Sequence, residues 1–194
     1  MIPFKAVAID MDGTFLRDDK SYDKKLFSEL LNKMKEKDLI RFMDRMIEER
    51  KAEYALGTAH IYQDMSFVAE NGMYLVDDGK DLSYEQLDRS LVEELVEFMA
   101  QRPELTPALC GKENAYLEKN SDSKFVKMMK YYLPKHKIVD SFEQLPDDVF
   151  FKFTVDVPKE KTLSTVDEIN KKFAGRVFAT SSGFGNFDLI LPHV

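Results

Sequence analysis

The chain has no tryptophan, a single cysteine, three histidines and no excess of positive charge. Each shortage argues against a class of function. Cys110 alone forms no internal disulfide, so a reducing cytoplasm is the expected setting, and its apolar neighbours suit buried packing better than a nucleophile. His60, His136 and His193 are scattered without paired ligand spacing, which argues against zinc. A formal net charge of -7 leaves no basic footprint for nucleic acid or an anionic membrane surface. Long apolar runs are missing too. The N-terminal one stops at Asp10, so neither a signal peptide nor a membrane span is expected, and the protein should be soluble.

What is present is globular: 194 residues, 44% hydrophobic and 12% aromatic, are enough to bury the core of one good domain or two small ones. The organising stretch is Phe4 to Thr14, an apolar run ending in Asp10-Met11-Asp12-Gly13-Thr14. Such a run, bounded by a turn signal, suits a strand buried on both faces of a parallel sheet. In open α/β sheets ligands sit beyond the carboxyl ends of the strands, where Asp10 and Asp12 fall. Alternation sends both carboxylates roughly the same way, and like charges that close call for a cation or a proton. Mg2+ answers that need when a phosphate is also present. Gly13 permits backbone conformations closed to other residues, and Thr14 adds a hydroxyl. The bland alternative is an Asp-Gly turn with incidental acids, yet Asp-x-Asp-Gly-Thr/Ser arises by chance on the order of once in a few hundred chains this long. A calcium loop fails, because Phe15 and Ser21 stand where glycine and an acid are needed.

Further along, Leu26, Phe27, Leu30, Leu31 and Met34 recur at helical spacing within residues 22 to 37. Leu39 to Phe42 begins a second strand that gives way to the charged, helix-prone run Met43 to Tyr54. Asn71-Gly72, between Ser66 to Glu70 and Met73 to Val76, is a hairpin signal in which both central residues need positive φ. Asp77 to Lys80 reads as a polar turn and hinge into a second domain. There the pattern predicts a helix from Tyr84 to about Gln101, strands at Pro107 to Cys110 and Ala115 to Glu118, and a helix over Ser123 to Leu133. A long strand over Val149 to Val157 follows, then a helix from Pro158 to near Gly175 and a last strand pair, Arg176 to Ser181 with Asn186 to Leu191. The loop between that pair lacks a following helix and a P-loop lysine, so it reads as a hairpin turn rather than a phosphate cradle. The lysines of Lys124 to Lys137 read as a solvated face.

Asp10-Met11-Asp12-Gly13-Thr14 after a hydrophobic strand resembles the first motif of the haloacid dehalogenase-like (HAD) phosphohydrolases. The surrounding text resembles the Cof-type sugar-phosphate phosphatases with a type IIB cap, over residues 1 to 42 and 66 to 194. The resemblance implies an α/β fold with a partial Rossmann-like HAD core and an inserted α+β cap. Its expected divisions are 1–81 as core, 82–186 as cap and 187–194 as a return strand to a core whose remainder is absent. It implies a Mg2+-dependent phosphatase of sugar phosphates or similar small esters, with Asp10 as nucleophile, Asp12 as acid and base, and both as metal ligands. Gly13, Thr14 and Asn71 are the implied phosphate- or substrate-binding residues.

The family pattern also calls for a Ser or Thr ending the second strand, a lysine after the cap and an acidic metal loop, and none stands where expected. The chain is therefore expected to hydrolyse phosphate esters poorly or not at all. A non-catalytic ligand-binding or regulatory module and a half-enzyme completed in trans are the alternatives. The expected partner is a small phosphorylated metabolite, with self-association through incomplete core edges.

Overall fold

Ala6–Asp10 forms the first strand, β1, in the computed structural model, which describes residues 5–10, 14–17, 19, 21–37, 40–44, 66–78, 80–133, 135–183 and 185–194. The chain divides into two units, Met1–Tyr84 and Glu85–Val194. In the first, β1 is followed by helix α1 (Lys24–Lys35), then β2 (Ile40–Asp44), β3 (Ser66–Ala69), β4 (Tyr74–Asp77) and β5 (Lys80–Tyr84). They form one sheet in sequence order, parallel across β1, β2 and β3 and antiparallel from β3 to β5.

The helix starts where local chemistry starts it. The Asp23 side chain accepts from the Leu26 amide, capping a free backbone donor, and Lys33 and Lys35 complement the dipole at the other end. Phe27, Leu31 and Met34 are buried, whereas Leu26 and Leu30, expected on the same apolar face, are 63% and 46% exposed. The apolar stripe is thus wider than the surface it packs on.

Three further expectations change in this unit. Among the described residues β1 lies at an edge of the sheet, with Ala6, Ala8 and Asp10 exposed and Val7 and Ile9 half-buried, so these residues do not bury it on both faces. β2 continues to Asp44, because parallel pairing with β1 and β3 outweighs the polar composition that suggested a stop at Phe42. The expected hinge at Asp77 to Lys80 is a hairpin turn: β5 pairs with β4 and extends the first unit to Tyr84, beyond the expected boundary at residue 81. The run Met43 to Tyr54 lies outside the described residues from position 45 onward, and so does His60.

In the second unit, α2 (Arg89–Ala100), β6 (Thr106–Gly111), β7 (Ala115–Glu118), α3 (Ser123–Tyr132), β8 (His136–Val139), β9 (Phe150–Asp156), α4 (Thr162–Lys172), β10 (Phe178–Gly183) and β11 (Asn186–Ile190) follow in order. A six-stranded sheet runs β10-β11-β9-β6-β7-β8. One face carries Leu109, Phe153, Val155, Phe187 and Leu189 against Val92, Leu95 and Phe98 of α2 and Ile169 of α4, the main core. On the other, Phe125 and Met129 of α3 meet Ala108, Cys110, Ala115 and Leu117. Each fully buried Phe or Leu contributes roughly 1.5–3 kcal/mol, so this sheet is well anchored.

Phe187–Ile190, expected within a segment returning to the core, instead sits in β11 between β10 and β9, where alternate residues are covered by the main core. The parallel edge strand β8 was not anticipated, since four residues with two basic side chains give no periodic signal.

Candidate active site

Asp10 closes β1, and the turn after it is held by the Phe15 amide donating to the Asp10 carbonyl at 3.1 Å. That turn brings the Thr14 hydroxyl within 2.9 Å of Asp10 Oδ2, to which it donates. Both residues are exposed. The loop beyond is closed in turn by the Arg17 amide on the Ser21 carbonyl and the Ser21 amide on Asp19 Oδ1. Hydrogen bonds from the Ser21 side chain and backbone hold the Asp19 carboxyl below its ordinary range. Phe15, Tyr22 and Phe27 then pack as an aromatic trio with ring centroids 4.7 to 5.6 Å apart, tying the loop to α1.

The neighbouring strands present their ends at the same edge. Parallel pairing sets Asp10 in register with Asp44, and Asp44 with Val68, so β3 ends beside the same rim about 10 Å away, two strand spacings from β1. Its continuation, Glu70-Asn71-Gly72, is left-handed at all three residues, with φ of 53°, 59° and 98°. The expected positive φ at Asn71 and Gly72 is present. The turn is longer than two residues, however, because Glu70 shares the conformation and the pairing resumes with Ala69 opposite Tyr74. Glu70 is also 4% exposed, a buried acid in a conformation that costs a non-glycine residue on the order of 1 kcal/mol or more. It was not singled out in the sequence, where nothing distinguishes it from a strand residue.

Of the expected site residues, the structure brings Asp10 and Thr14 together and places Asn71 on the same rim. Asp12 and Gly13 lie outside the described residues. Among the described residues no group of three or more His, Cys, Asp or Glu side chains could hold a metal ion. Asp10 is thus the one expected ligand in view, and the described residues do not complete a magnesium site.

The sheet with an acid and a hydroxyl at the carboxyl end of its first strand, joined to an α+β unit, defines a hydrolase class that the whole-chain comparison makes definite. A family model for haloacid dehalogenase-like hydrolases matches residues 7–194, and the chain belongs to that family. It is 32% identical over 192 residues to the 5-amino-6-(5-phospho-D-ribitylamino)uracil phosphatase YbjI of Escherichia coli K12, covering 98% of this chain and 69% of that protein. Among solved structures it resembles SMU.1108c from Streptococcus mutans UA159 with a TM-score of 0.89 and 30% identity, over 97% of this chain and 71% of that one. It shares its fold with the HAD subclass IIB sugar phosphatase BT4131, with a TM-score of 0.73 at 16% identity, over 98% of this chain and 71% of that one. By this resemblance the chain is a phosphohydrolase, with an α/β core and a second α+β unit. Among the described residues no helix is long and apolar enough to cross a membrane.

Proposed function

We propose that the chain acts on sugar phosphates or similar small phosphate esters, weakly, through an aspartyl-phosphate at Asp10. The observation that carries this reading is the exposed Asp10 carboxylate at the end of a parallel strand, with Thr14 donating to its Oδ2. With Oδ2 engaged, Oδ1 is the oxygen proposed to attack phosphorus. The ester oxygen leaves with the bonding electron pair and takes a proton from Asp12, and Asp12 then removes a proton from the water that hydrolyses the acyl phosphate. Asp10 and Asp12 are the residues proposed to hold Mg2+, whose chemistry is to offset charge on the phosphate oxygens. No step here runs through that ion. The sugar reading draws on the phosphorylated ribityl substrate in the name of the relative YbjI and on the sugar phosphatase BT4131. A cytoplasmic setting is part of the same proposal.

Weak turnover follows from β2, Ile-Arg-Phe-Met-Asp, which offers no hydroxyl side chain to clamp a phosphate. One such donor is worth roughly a hundredfold in rate. The same lack favours a second reading, a ligand-binding module without catalysis, while the exposed edge at β1 favours completion or self-association through that strand.

The test is release of p-nitrophenol from its phosphate ester with Mg2+, for the wild-type chain and Asp10→Asn. Slow turnover, below the ordinary enzymatic range of about 1 per second and upward, that vanishes in Asp10→Asn is expected. Turnover indifferent to Asp10→Asn would remove the nucleophile assignment. Asp10-dependent turnover at ordinary rates would overturn the weak-activity reading.

A further inference from the structure

Glu118, the last residue of β7, is a carboxylate on the apolar side of its sheet. Tyr116, two positions before it, belongs to the main core beneath α2, whereas Leu117 packs on the opposite face under α3. Alternation along the strand therefore sends Glu118 to the α2 face, where it is half-buried. Its Oε1 accepts from the Phe142 amide at 2.7 Å, and its Oε2 accepts no hydrogen bond among the described residues. A carboxylate has room for several donors, so one oxygen is left open.

Glu118 lines a cleft of about 210 Å³ between the end of α2 and the segment that follows β8. Met99, Leu105 and Phe142 are buried in its walls, and Ala100, Pro103 and Glu143 stand exposed around it. An apolar cavity of roughly 150 Å³ suffices for benzene, so this one has room for a single ring carrying a short chain. The cations nearby are already engaged. Arg102, also on the wall, donates to Glu168 Oε1 at 2.6 Å and to the Phe98 carbonyl at 2.9 Å, with its guanidinium 3.6 Å from the centroid of the Phe98 ring. Lys119 pairs with Asp140 at 3.8 Å and Lys161 with Glu104 at 3.2 Å. Glu118 and Glu143 have no cationic partner among the described residues. α2 ends at the cleft as well, and the C-terminal end of a helix carries partial negative charge.

We propose that this cleft binds a small organic ammonium ion, an amine on an apolar body of single-ring size. The ammonium donates to Glu118 Oε2 in a charge-assisted hydrogen bond, and the body covers Met99, Leu105 and Phe142. The surroundings select that class. A neutral ligand leaves the carboxylate charge uncompensated, and an anion meets both Glu118 and Glu143. A bare metal ion finds, among the described residues, no group of three possible ligands. The cleft lies wholly within residues 85–194, on the face of the sheet away from α3, and does not depend on turnover at Asp10.

The experiment is a chemical-shift titration of the isotopically labelled full chain with 2-phenylethylamine, using 2-phenylethanol, its uncharged counterpart, as control. Saturable shifts at residues 96–100, 118 and 141–143 are expected with the amine, and binding at least about tenfold weaker with the alcohol. Glu118→Gln, which keeps an oxygen for the Phe142 amide, should weaken amine binding at least about tenfold, and Asp10→Asn should leave it unchanged. Ala100→Leu, on the exposed side of α2, should block the cleft without touching the charge, and it keeps the test open should Glu118→Gln not fold. The inference fails if the amine gives no saturable shift at these residues, if the alcohol binds as tightly, or if the folded variants bind as well as wild type.

Discussion

The Thr14 hydroxyl, four positions along the chain, donates to Asp10 Oδ2 at 2.9 Å, so a near neighbour in sequence helps to orient the candidate nucleophile. Removing that donor while keeping the shape is the sharpest probe of the arrangement. Thr14→Val should lower aryl-phosphate turnover by roughly tenfold or more while leaving urea stability within about 0.5 kcal/mol, because both side chains are exposed. Unchanged turnover would separate Thr14 from the chemistry.

Asp44 occupies the register position beside Asp10 at the end of β2, where the family pattern expects a hydroxyl residue. An acid there is the wrong charge to receive a phosphate. Asp44→Ser is expected to raise turnover, and Asp44→Asn to raise it less, since it removes charge without placing a hydroxyl there. Steady-state kinetics on one aryl phosphate distinguishes them, and a gain that is equal in both would point to charge alone.

In the second unit, Asp148 organises the turn between β6 and β7. Its carboxylate accepts from the amides of Glu113, Asn114 and Val149 and from the Tyr116 hydroxyl at 2.8 Å. A Cβ on Gly111 would stand 2.6 Å from Asp148 Oδ2. Asp148→Ala should cost about 2–3 kcal/mol in urea denaturation, by leaving several donors unpaired. Burial first, then the Asp148 hydrogen bond, push the Tyr116 phenol up to about 12 from 10.0. The folded state therefore holds this proton more tightly than the unfolded chain. The contribution is complete below pH 10 and is lost as pH rises towards 12. Tyr116→Phe should show a shallower loss of stability across that interval, and an identical slope in both proteins would rule the phenol out as its source.

Leu26 and Phe27 are neighbours on α1 with opposite fates, 63% and 5% exposed. Phe27→Ala should destabilise by about 3–5 kcal/mol, because it empties the aromatic contact with Phe15 and Tyr22. Leu26→Glu should change stability by less than about 0.5 kcal/mol. If the exposed stripe of α1 drives self-association, Leu26→Glu should also shift sedimentation towards the monomer at high concentration. No shift would leave that stripe as plain surface.

Much of the second unit could be read directly from the chain. Its elements are long, strongly periodic and locally bounded, as in Phe150–Asp156 and Asn186–Ile190, so local pattern and tertiary packing agree. In the first unit the helix was equally plain in the sequence, as was the family. What the residues of β1 could not reveal is that it would be an edge strand. An apolar run states a demand for burial, and only the neighbours that fold against it determine whether the demand is met. The reach of β2 to Asp44 is of the same kind, since strand pairing is a contract with β1 and β3 rather than a property of Met43 and Asp44. The ion pair of Lys152 and Asp188 is assembled across 36 residues by the pairing of β9 with β11. Composition and motif thus settled the class of chemistry, while the tertiary structure decided which acids and hydroxyls share a surface, because contact between distant residues is set by register and packing.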